Sequence, residues 1–272
     1  MRVHSRAVCR QRSRALAIAA SIAIASLTFA ASARAQDPFE IHIYEYEILP
    51  PGAYTLEAHL NFVGKGTTSF EGTVAPTHHQ FHMTYELTRG ITAHFSMGIM
   101  LLSAVRPGGS GLEYAGVRLL PHLYAPKSWH LPLDLGLVSE FSFQRTIFEE
   151  NSRRVELRPI LEKGIGRLQL DLNPVFERAL PGPGTQEGWH FEPGFRFGYT
   201  VSERFAPSLE YYSDAGRFPA FPPVDQQIHL LFPGGDLKLR EDLLWSFGVG
   251  VGLTHAGNRV VFKSRFEFSV GR

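Results

Sequence analysis

Residues 81–101 read FHMTYELTRGITAHFSMGIML, and apolar side chains occupy alternate positions on both sides of Thr88-Arg89-Gly90. In the run His78–Leu87 they alternate with Gln80, His82, Thr84 and Glu86, and in the run Ile91–Leu101 with Thr92, His94, Ser96 and Gly98. Alternation with a period of two residues indicates a β-strand. Each run has the length of about 9–11 residues that a tilted strand needs to cross a membrane. The stretch therefore predicts two membrane-spanning strands joined by a tight turn.

The same alternation recurs along the chain and predicts twelve strands. Their ranges are Ala53–Phe62, His78–Leu87, Ile91–Leu101, Leu112–Leu120, Leu131–Phe143, Val155–Glu162, Leu168–Glu177, His190–Tyr199, Phe205–Tyr212, Gln227–Phe232, Trp245–Leu253 and Val260–Phe268. Tight connections such as Lys163–Gly166 alternate with longer ones rich in Gly and Pro, such as Val63–Thr77, although Pro121–Trp129 and Pro233–Glu241 are long for tight turns. This pattern predicts an all-β, transmembrane, antiparallel up-and-down β-barrel with short periplasmic turns and longer outer loops.

The N-terminal region has the composition of a secretory signal. Residues 1–35 contain six arginines and no acidic residue, and the apolar run Ala15–Ala31 is followed by Ala33-Arg34-Ala35, a small-x-small cleavage pattern. We predict a signal peptide over residues 1–35, cleaved near Ala35-Gln36, and export to the outer membrane of a Gram-negative bacterium.

Removal of these residues changes the function classes that the composition allows. Without residues 1–35 the chain has 237 of its 272 residues. It then contains 21 basic and 26 acidic residues, so its formal charge is −5. Cys9 is the single cysteine and is lost, which excludes a disulfide scaffold and a thiol enzyme. The lost basic surplus argues against a nucleic-acid partner.

A further alternating stretch, Phe39–Leu49, precedes Pro50-Pro51-Gly52. It fits a periplasmic extension, a segment inside the lumen or part of a fourteen-strand barrel. We favour an N-terminal periplasmic or lumenal extension over residues 36–52, outside the twelve strands, with the barrel domain over residues 53–272.

A soluble two-sheet sandwich also alternates, with its apolar side chains buried. Here the apolar face is large on every predicted strand, and no amphipathic helix is available to cover it. The polar face carries ionisable groups flanked by glycines such as Gly248, Gly250 and Gly252, which suits a crowded lumen. We therefore expect the lipid bilayer to contact the apolar face, and the polar face to line the barrel.

Twelve strands close to a backbone radius of roughly 12 Å, so side chains leave a gap of about 10 Å or less. The predicted pore-lining residues are Glu57, His59, Asn61, His82, Glu86, His94, Arg118, Asp134, Glu140, Glu156, Arg158, Asp171, Glu192, Arg196, Glu210, His229, Lys263, Arg265 and Glu267. With Glu162 and Glu177 included, eleven inward acids face five inward bases, an excess of six acids. The charges either pair and close the lumen or line a constriction that favours cationic or hydrogen-bonding solutes.

Patterns for catalysis and metal binding are weak. His78 and His82 would lie about 13 Å apart on a strand, too far to share one ion, and a cluster of His59, His82 and His94 is the remaining alternative. A lipid-face hydrolase would need Ser and His together, but the predicted apolar faces offer only Ser139 and Ser264, with His79 at a strand edge. We predict no enzyme activity, no cofactor and no metal.

Several short segments together suggest a known family. They are Ile43-Tyr44 with Glu47, Pro50-Pro51-Gly52, Leu56 with His59 and Asn61, Tyr85-Glu86 with Thr88, Gly90-Ile91-Thr92, Glu156-Leu157-Arg158-Pro159-Ile160, Asn173-Pro174, and Glu210-Tyr211-Tyr212 with Asp214 and Gly216. These segments resemble the family of outer-membrane proteins named after the meta-cleavage pathway of phenol degradation. The resemblance spans nearly all of the chain after the signal peptide and implies a transporter-like outer-membrane barrel. The ionic lumen does not favour phenol itself as the solute, and the ending Phe268-Ser269-Val270-Gly271-Arg272 lacks the usual terminal aromatic residue.

The combined expectation is a monomeric outer-membrane barrel that passes small polar solutes through a narrow charged lumen. The central lumen residues would be His59, Glu86, Glu156, Arg158, Glu192, Arg196 and Glu210. The alternatives are a closed structural barrel without transport and, third, a lipid hydrolase on the membrane face.

Overall fold

The computed structural model of the protein describes residues 37–180 and 188–271, and these contain twelve strands in one closed barrel. The strands are β1 (Tyr54–Lys65), β2 (Phe81–Thr92), β3 (Phe95–Val105), β4 (Leu112–Tyr124), β5 (Asp134–Gln144), β6 (Arg153–Ile165), β7 (Leu168–Ala179), β8 (Trp189–Tyr199), β9 (Phe205–Asp214), β10 (Ile228–Arg240), β11 (Leu243–Gly252) and β12 (Val260–Val270). The predicted fold class is confirmed. The predicted signal peptide lies outside the described residues.

Each strand pairs with its neighbours in sequence, and β1 pairs with β12 to close the wall. The closing register runs from Tyr54 opposite Val270 to Phe62 opposite Phe262 without interruption. Closure leaves no strand edge with free backbone groups, which a barrel needs in order to span a membrane. Among the described residues, no helix is long and apolar enough to cross a bilayer.

The connections differ between the two ends of the barrel. At one end, here named the turn end, they are 93–94, 125–133, 166–167, 200–204 and 241–242; at the other, the loop end, they are 66–80, 106–111, 145–152, 180–188 and 215–227, with 253–259. Residues 181–187 of the predicted loop Ala179–Gly188 lie outside the described part of the chain. The predicted alternation of short and long connections is confirmed.

The predicted connection Pro121–Trp129 lies at residues 125–133 instead, because β4 continues to Tyr124 and β5 begins at Asp134. Two other predicted turns lie inside strands. The strand β2 continues through Thr88-Arg89-Gly90 to Thr92, so the turn is at residues 93–94. The strand β10 continues through Pro233 and two glycines to Arg240, so the predicted connection Pro233–Glu241 shrinks to residues 241–242. In both places residues typical of turns keep an extended backbone because the neighbouring strands pair with them.

The two faces of the wall differ as the alternation predicted. Along β2, Tyr85 and Leu87 point outward and are 46% and 45% exposed, whereas Thr84 and Glu86 point inward and are 0% and 2% exposed. An outer surface covered by large apolar side chains around a polar interior is the arrangement of a transmembrane barrel. We therefore treat the outer face as the surface that meets lipid.

Two strands depart from the predicted assignment of inward and outward faces. In β10, Ile228 and Leu230 point inward and are buried, which turns His229 outward. In β4, a bulge at Ala115 shifts the register, so that Ala115 points inward and Tyr114 outward. The prediction assumed that every inward side chain is polar, and it fails where the lumen contains apolar protein instead of water.

The outward face yields a depth-dependent prediction. Leu101→Arg should lower the free energy of unfolding by about 2–4 kcal/mol, because Leu101 lies near the middle of β3 and is 52% exposed outward. Val105→Arg, on the same face at the end of β3, should cost about 0–1 kcal/mol. Urea unfolding in phospholipid vesicles measures both values. Equal costs would mean that this face does not meet hydrocarbon.

Candidate functional site

An extended segment of the chain occupies the lumen. Residues 37–49, here named the lumenal segment, lie inside the barrel without joining its sheet. Near the loop end, the ring of Phe39 contacts Phe148, with ring centroids 5.8 Å apart. At the turn end, the N–H of Gly52 donates to the carbonyl of Gly90 (2.8 Å), where the chain enters β1. The segment thus runs the length of the lumen, within the range predicted as a periplasmic or lumenal extension.

Apolar side chains of the lumenal segment fill two inward patches of the wall. Phe39 and Tyr44 pack in a cluster with Met100, Leu102, Ala104, Ala115, Leu120, Tyr124, Val138 and Ile160. Ile41 and Ile43 pack on the opposite side with Tyr212, Ile228, Leu230, Phe232 and Val261. Burial of one such side chain is worth about 1.5–3 kcal/mol. These contacts explain why β10 turns its apolar side chains inward.

Acidic side chains of the lumenal segment pair with arginines of the wall. Glu40 is 4% exposed, and its carboxylate accepts from Arg118 (3.0 Å) and Arg158 (3.1 Å). Asp37 pairs with Arg118 and with Arg154 (2.7 Å).

Carboxylates of the wall pair with the same three arginines. Arg118 pairs with Glu140, Arg154 with Glu177, and Arg158 with Glu156. Buried charges persist only when they are paired in this way.

Backbone groups of the lumenal segment are held by side chains of the wall. The side-chain amide of Asn173 makes two hydrogen bonds to Tyr44, accepting from its N–H (2.7 Å) and donating to its carbonyl (3.0 Å). The N–H of Tyr46 donates to Glu162 (2.6 Å), and Asn61 donates to the carbonyl of Pro38 (2.9 Å). These bonds satisfy buried backbone groups of the segment without strand pairing.

Two further ionic groups lie in the lumen. Arg196 pairs with Asp171 (3.1 Å), with Asp236 and with Glu45 of the lumenal segment (3.0 Å). On the other side, Arg265 pairs with Glu57 (2.9 Å) and Glu267 (3.2 Å), and Lys263 pairs with Glu210. The lumen charges thus pair within a strand, between neighbouring strands and across the lumen, the last shown by Lys263 on β12 and Glu210 on β9.

A cavity of about 350 Å³ lies at the turn end of the lumen. Its acidic lining residues are Glu45, Glu47, Glu57, Glu86, Glu162, Glu241, Asp242 and Glu267, and its basic ones are Lys238 and Arg265, with His42 and His122. Tyr44 and Tyr46 of the lumenal segment form part of its wall. The lining of this cavity therefore has more acidic than basic side chains.

Most of the residues predicted to line the pore point into the lumen. Those that are buried there are Glu57, His59, Asn61, His82, Glu86, Arg118, Glu140, Glu156, Arg158, Asp171, Arg196, Glu210, Lys263 and Glu267. Arg265 and Glu192 also point inward and are partly buried, and Asp134 lies at the turn end beside Lys127. Few of these side chains face open water, because the lumenal segment covers them.

Two predicted pore-lining residues are wrong. His94 lies in the turn at residues 93–94 and is exposed, which also removes it from the predicted cluster with His59 and His82. His229 points outward, where the hydroxyl of Tyr211 lies 2.6 Å from its Nδ1. The sequence analysis also missed Arg154, which points into the lumen. This residue lies one position before the predicted start of β6 and follows the same alternation.

The outward position of His229 brings it beside a serine that the sequence analysis did not consider. The hydroxyl of Ser213 lies 3.2 Å from Nδ1 of His229, on the same nitrogen that Tyr211 contacts at 2.6 Å. Ser213 is only 3% exposed, and within the described residues no carboxylate hydrogen-bonds His229. A serine hydrolase needs an accessible nucleophile and an oriented histidine, so this group does not form a triad.

Comparison with known proteins concerns the fold. No protein-family model and no curated protein sequence matches the chain. Among solved structures, an outer membrane channel from Pseudomonas putida F1 is similar, with a TM-score of 0.57 at 11% identity over 85% of this chain and 100% of that one. The KdgM porin has a TM-score of 0.50 at 10% identity over 79% of this chain and 99% of that one. Both likenesses support the barrel fold, and the resemblance to the phenol-pathway family stays a prediction.

The Glu40 contacts yield a test of how firmly the lumenal segment is held. Glu40→Gln should weaken its docking by about 3 kcal/mol, because two buried guanidinium groups lose a shared carboxylate. Maleimide labelling of Ile41→Cys, a position that is 3% exposed, should then accelerate about 100-fold.

Glu45→Gln is the matched control for this experiment. The side chain of Glu45 is 36% exposed and contacts Arg196, so its loss should change the labelling rate less than fivefold. Equal labelling of the Glu40→Gln and Glu45→Gln variants would mean that the buried pair does not hold the segment.

Proposed function

We propose that the protein is an outer-membrane channel for small polar solutes, and that the lumenal segment is its gate. The turn end would face the periplasm and the loop end the exterior, as the lengths of the connections favour. The state described above is then the closed state of this channel. The observation that carries the proposal is an occluding segment that is not part of the barrel wall.

The closed barrel wall supports the proposal that the lumenal segment can move. Because β1 and β12 pair along their whole lengths, release of residues 37–49 exposes no strand edge. A segment that formed a thirteenth strand would have to break a ladder of backbone hydrogen bonds before moving. The lumenal segment instead breaks contacts with side chains such as Asn173 and Glu162, which water can replace.

The ionic contacts also favour reversible docking. Buried ion pairs contribute little net stability, because desolvation of the charges offsets their attraction. When the lumenal segment leaves, the charges of Glu40 and Arg158 are hydrated again. Their hydration offsets part of the free energy lost when the ion pair separates. A plug that served only to fill the barrel would be more stable with apolar side chains at these positions.

The cavity at the turn end favours cationic or hydrogen-bonding solutes. Its eight acidic and two basic lining residues attract positive charge from the periplasmic side. The alternative function is a closed structural barrel that conducts nothing. The same buried ion pairs would stabilise such a barrel.

Deletion of residues 38–48 separates these two functions. In planar bilayers the deletion variant should conduct persistently, because the lumen loses the segment that fills it, whereas the complete protein should open rarely. Single-channel recording measures both, and heat-dependent mobility on gels verifies that the variant barrel is folded. A folded variant that stays silent would favour the closed structural barrel.

A reversible cross-link provides the control for the deletion. The γ1 carbon of Ile43 lies 3.9 Å from the position of a β-carbon built at Gly194, so Ile43→Cys with Gly194→Cys suits a disulfide. Oxidation should abolish the openings of this variant, and a reducing agent should restore them, while either single cysteine has no such effect. Openings that persist after oxidation would show that the segment is not the gate.

The acid surplus predicts the sign of the ion selectivity. In a KCl gradient, the reversal potential of the open channel should indicate a preference for K⁺ over Cl⁻. Glu162→Gln, which keeps the size of the side chain in the cavity, should reduce this preference, and Lys238→Gln should increase it. An anion preference in the complete protein would contradict the proposed class of solute.

A further inference from the structure

We propose that Glu57, His59 and Glu86 of the wall, with His42 of the lumenal segment, form a binding site for a divalent transition-metal ion such as Zn²⁺. The sequence analysis predicted no metal, and the proposed channel activity does not require one. The binding of the ion stands on its own observations and does not rest on the proposed function.

Strand register brings the three wall residues together. Glu57 and Glu86 are directly opposite each other on β1 and β2, and His59 follows Glu57 by two positions on the same inward face. Nε2 of His59 lies 3.2 Å from Oε2 of Glu57, and one ligand atom from each of the three residues lies within 4.8 Å of the others. All three are buried, with exposures between 1% and 8%.

One carboxylate oxygen of this group lacks a partner. Oε1 of Glu86 accepts from the hydroxyl of Thr88 (2.6 Å), but Oε2 is buried and has no hydrogen bond within the described residues. Its neighbour Glu57 carries a like charge and shares Arg265 with Glu267. Two adjacent buried carboxylates repel each other, and a bound cation removes both the repulsion and the missing contact.

His42 adds a second imidazole from the lumenal segment. Its ring centroid is 6.0 Å from that of His59, and its Nδ1 is buried without a hydrogen-bond partner within the described residues. Two imidazoles bound to one ion, with bonds of about 2.1 Å, have centroids roughly 5–6 Å apart. His42 also lines the cavity that contains Glu57 and Glu86. The ion would therefore bridge the wall and the lumenal segment.

The ligand set selects the kind of ion. Two imidazole nitrogens and two carboxylates suit Zn²⁺, Co²⁺ or Ni²⁺, whereas Ca²⁺ and Mg²⁺ bind through oxygen ligands. Ligand atoms around Zn²⁺ lie about 3–3.5 Å apart, so a shift of about 1 Å brings the three wall side chains into place. The ring of His42, which is outside this group of three, would have to move closer to join them. The cavity of about 350 Å³ at the turn end provides a route by which the ion enters.

Calorimetric titration of the full-length mature protein in detergent, without an affinity tag and after chelator treatment, tests the site with ZnCl₂. We expect one Zn²⁺ per chain, and at least a 100-fold loss of affinity in the double variant His59→Ala with Glu86→Gln. His42→Ala alone should weaken binding about tenfold, because three ligands remain. His82→Ala is the control, since His82 is equally buried but contacts Phe39 instead.

Titration of the unmodified protein with CoCl₂ gives a readout that needs no variant. Binding should produce visible absorption of Co²⁺ in a nitrogen and oxygen environment, and Zn²⁺ should abolish it, whereas excess Ca²⁺ should not. Undiminished Zn²⁺ binding by the double variant, or the absence of any Co²⁺ absorption in the unmodified protein, would overturn the site. Neither measurement depends on conductance, so a silent channel that binds Zn²⁺ would refute the proposed function and leave the metal site standing.

Discussion

The structure depends on one constraint: charges enclosed by a twelve-stranded wall have to be paired. A wall of this size leaves a lumen that its own side chains fill only in part. Arg118 points into that space from β4, and Arg154 and Arg158 point into it from β6. The wall provides carboxylates for each of them, and the lumenal segment adds Asp37 and Glu40 at the points where the arginines meet. The segment is therefore an electrostatic part of the interior as well as a space filler.

The wall and the lumenal segment are held by different kinds of interaction. The wall is closed by backbone hydrogen bonds between every two neighbouring strands, which nothing at membrane depth can replace. The segment is held by side-chain hydrogen bonds, ion pairs and two apolar clusters, and water can replace the polar contacts once the segment moves. Local opening energies can vary within one protein in this way, and this difference is consistent with the proposed movement of the lumenal segment.

Sequence reasoning was strongest where the period of two residues decides the structure. All twelve strands follow from it, and so do the faces of most strands, because each inward residue has the same parity as its neighbours two positions away. It failed at His229, since the apolar residues of β10 pack on Ile41 and Ile43, and no local pattern identifies a partner so far away in the chain. The turn after β2 was misplaced for a similar reason, because pairing with β3 extends the strand to Thr92. The pairing of Glu57 with Glu86 likewise depends on register, which alternation alone does not provide.

The composition of the lining changes the sequence-based argument about solutes. That argument set a hydrophobic aromatic solute aside because it assumed a lining of charges alone. The lining also contains apolar patches, one around Leu102 and Ile160 and one around Leu230 and Phe232, and the lumenal segment covers both. Release of the segment would uncover apolar and charged surfaces together, so the chemistry of the passage differs between the closed and open states. Under the proposed function, the lumenal segment would therefore determine which solutes the wall can select, as well as whether the lumen is open.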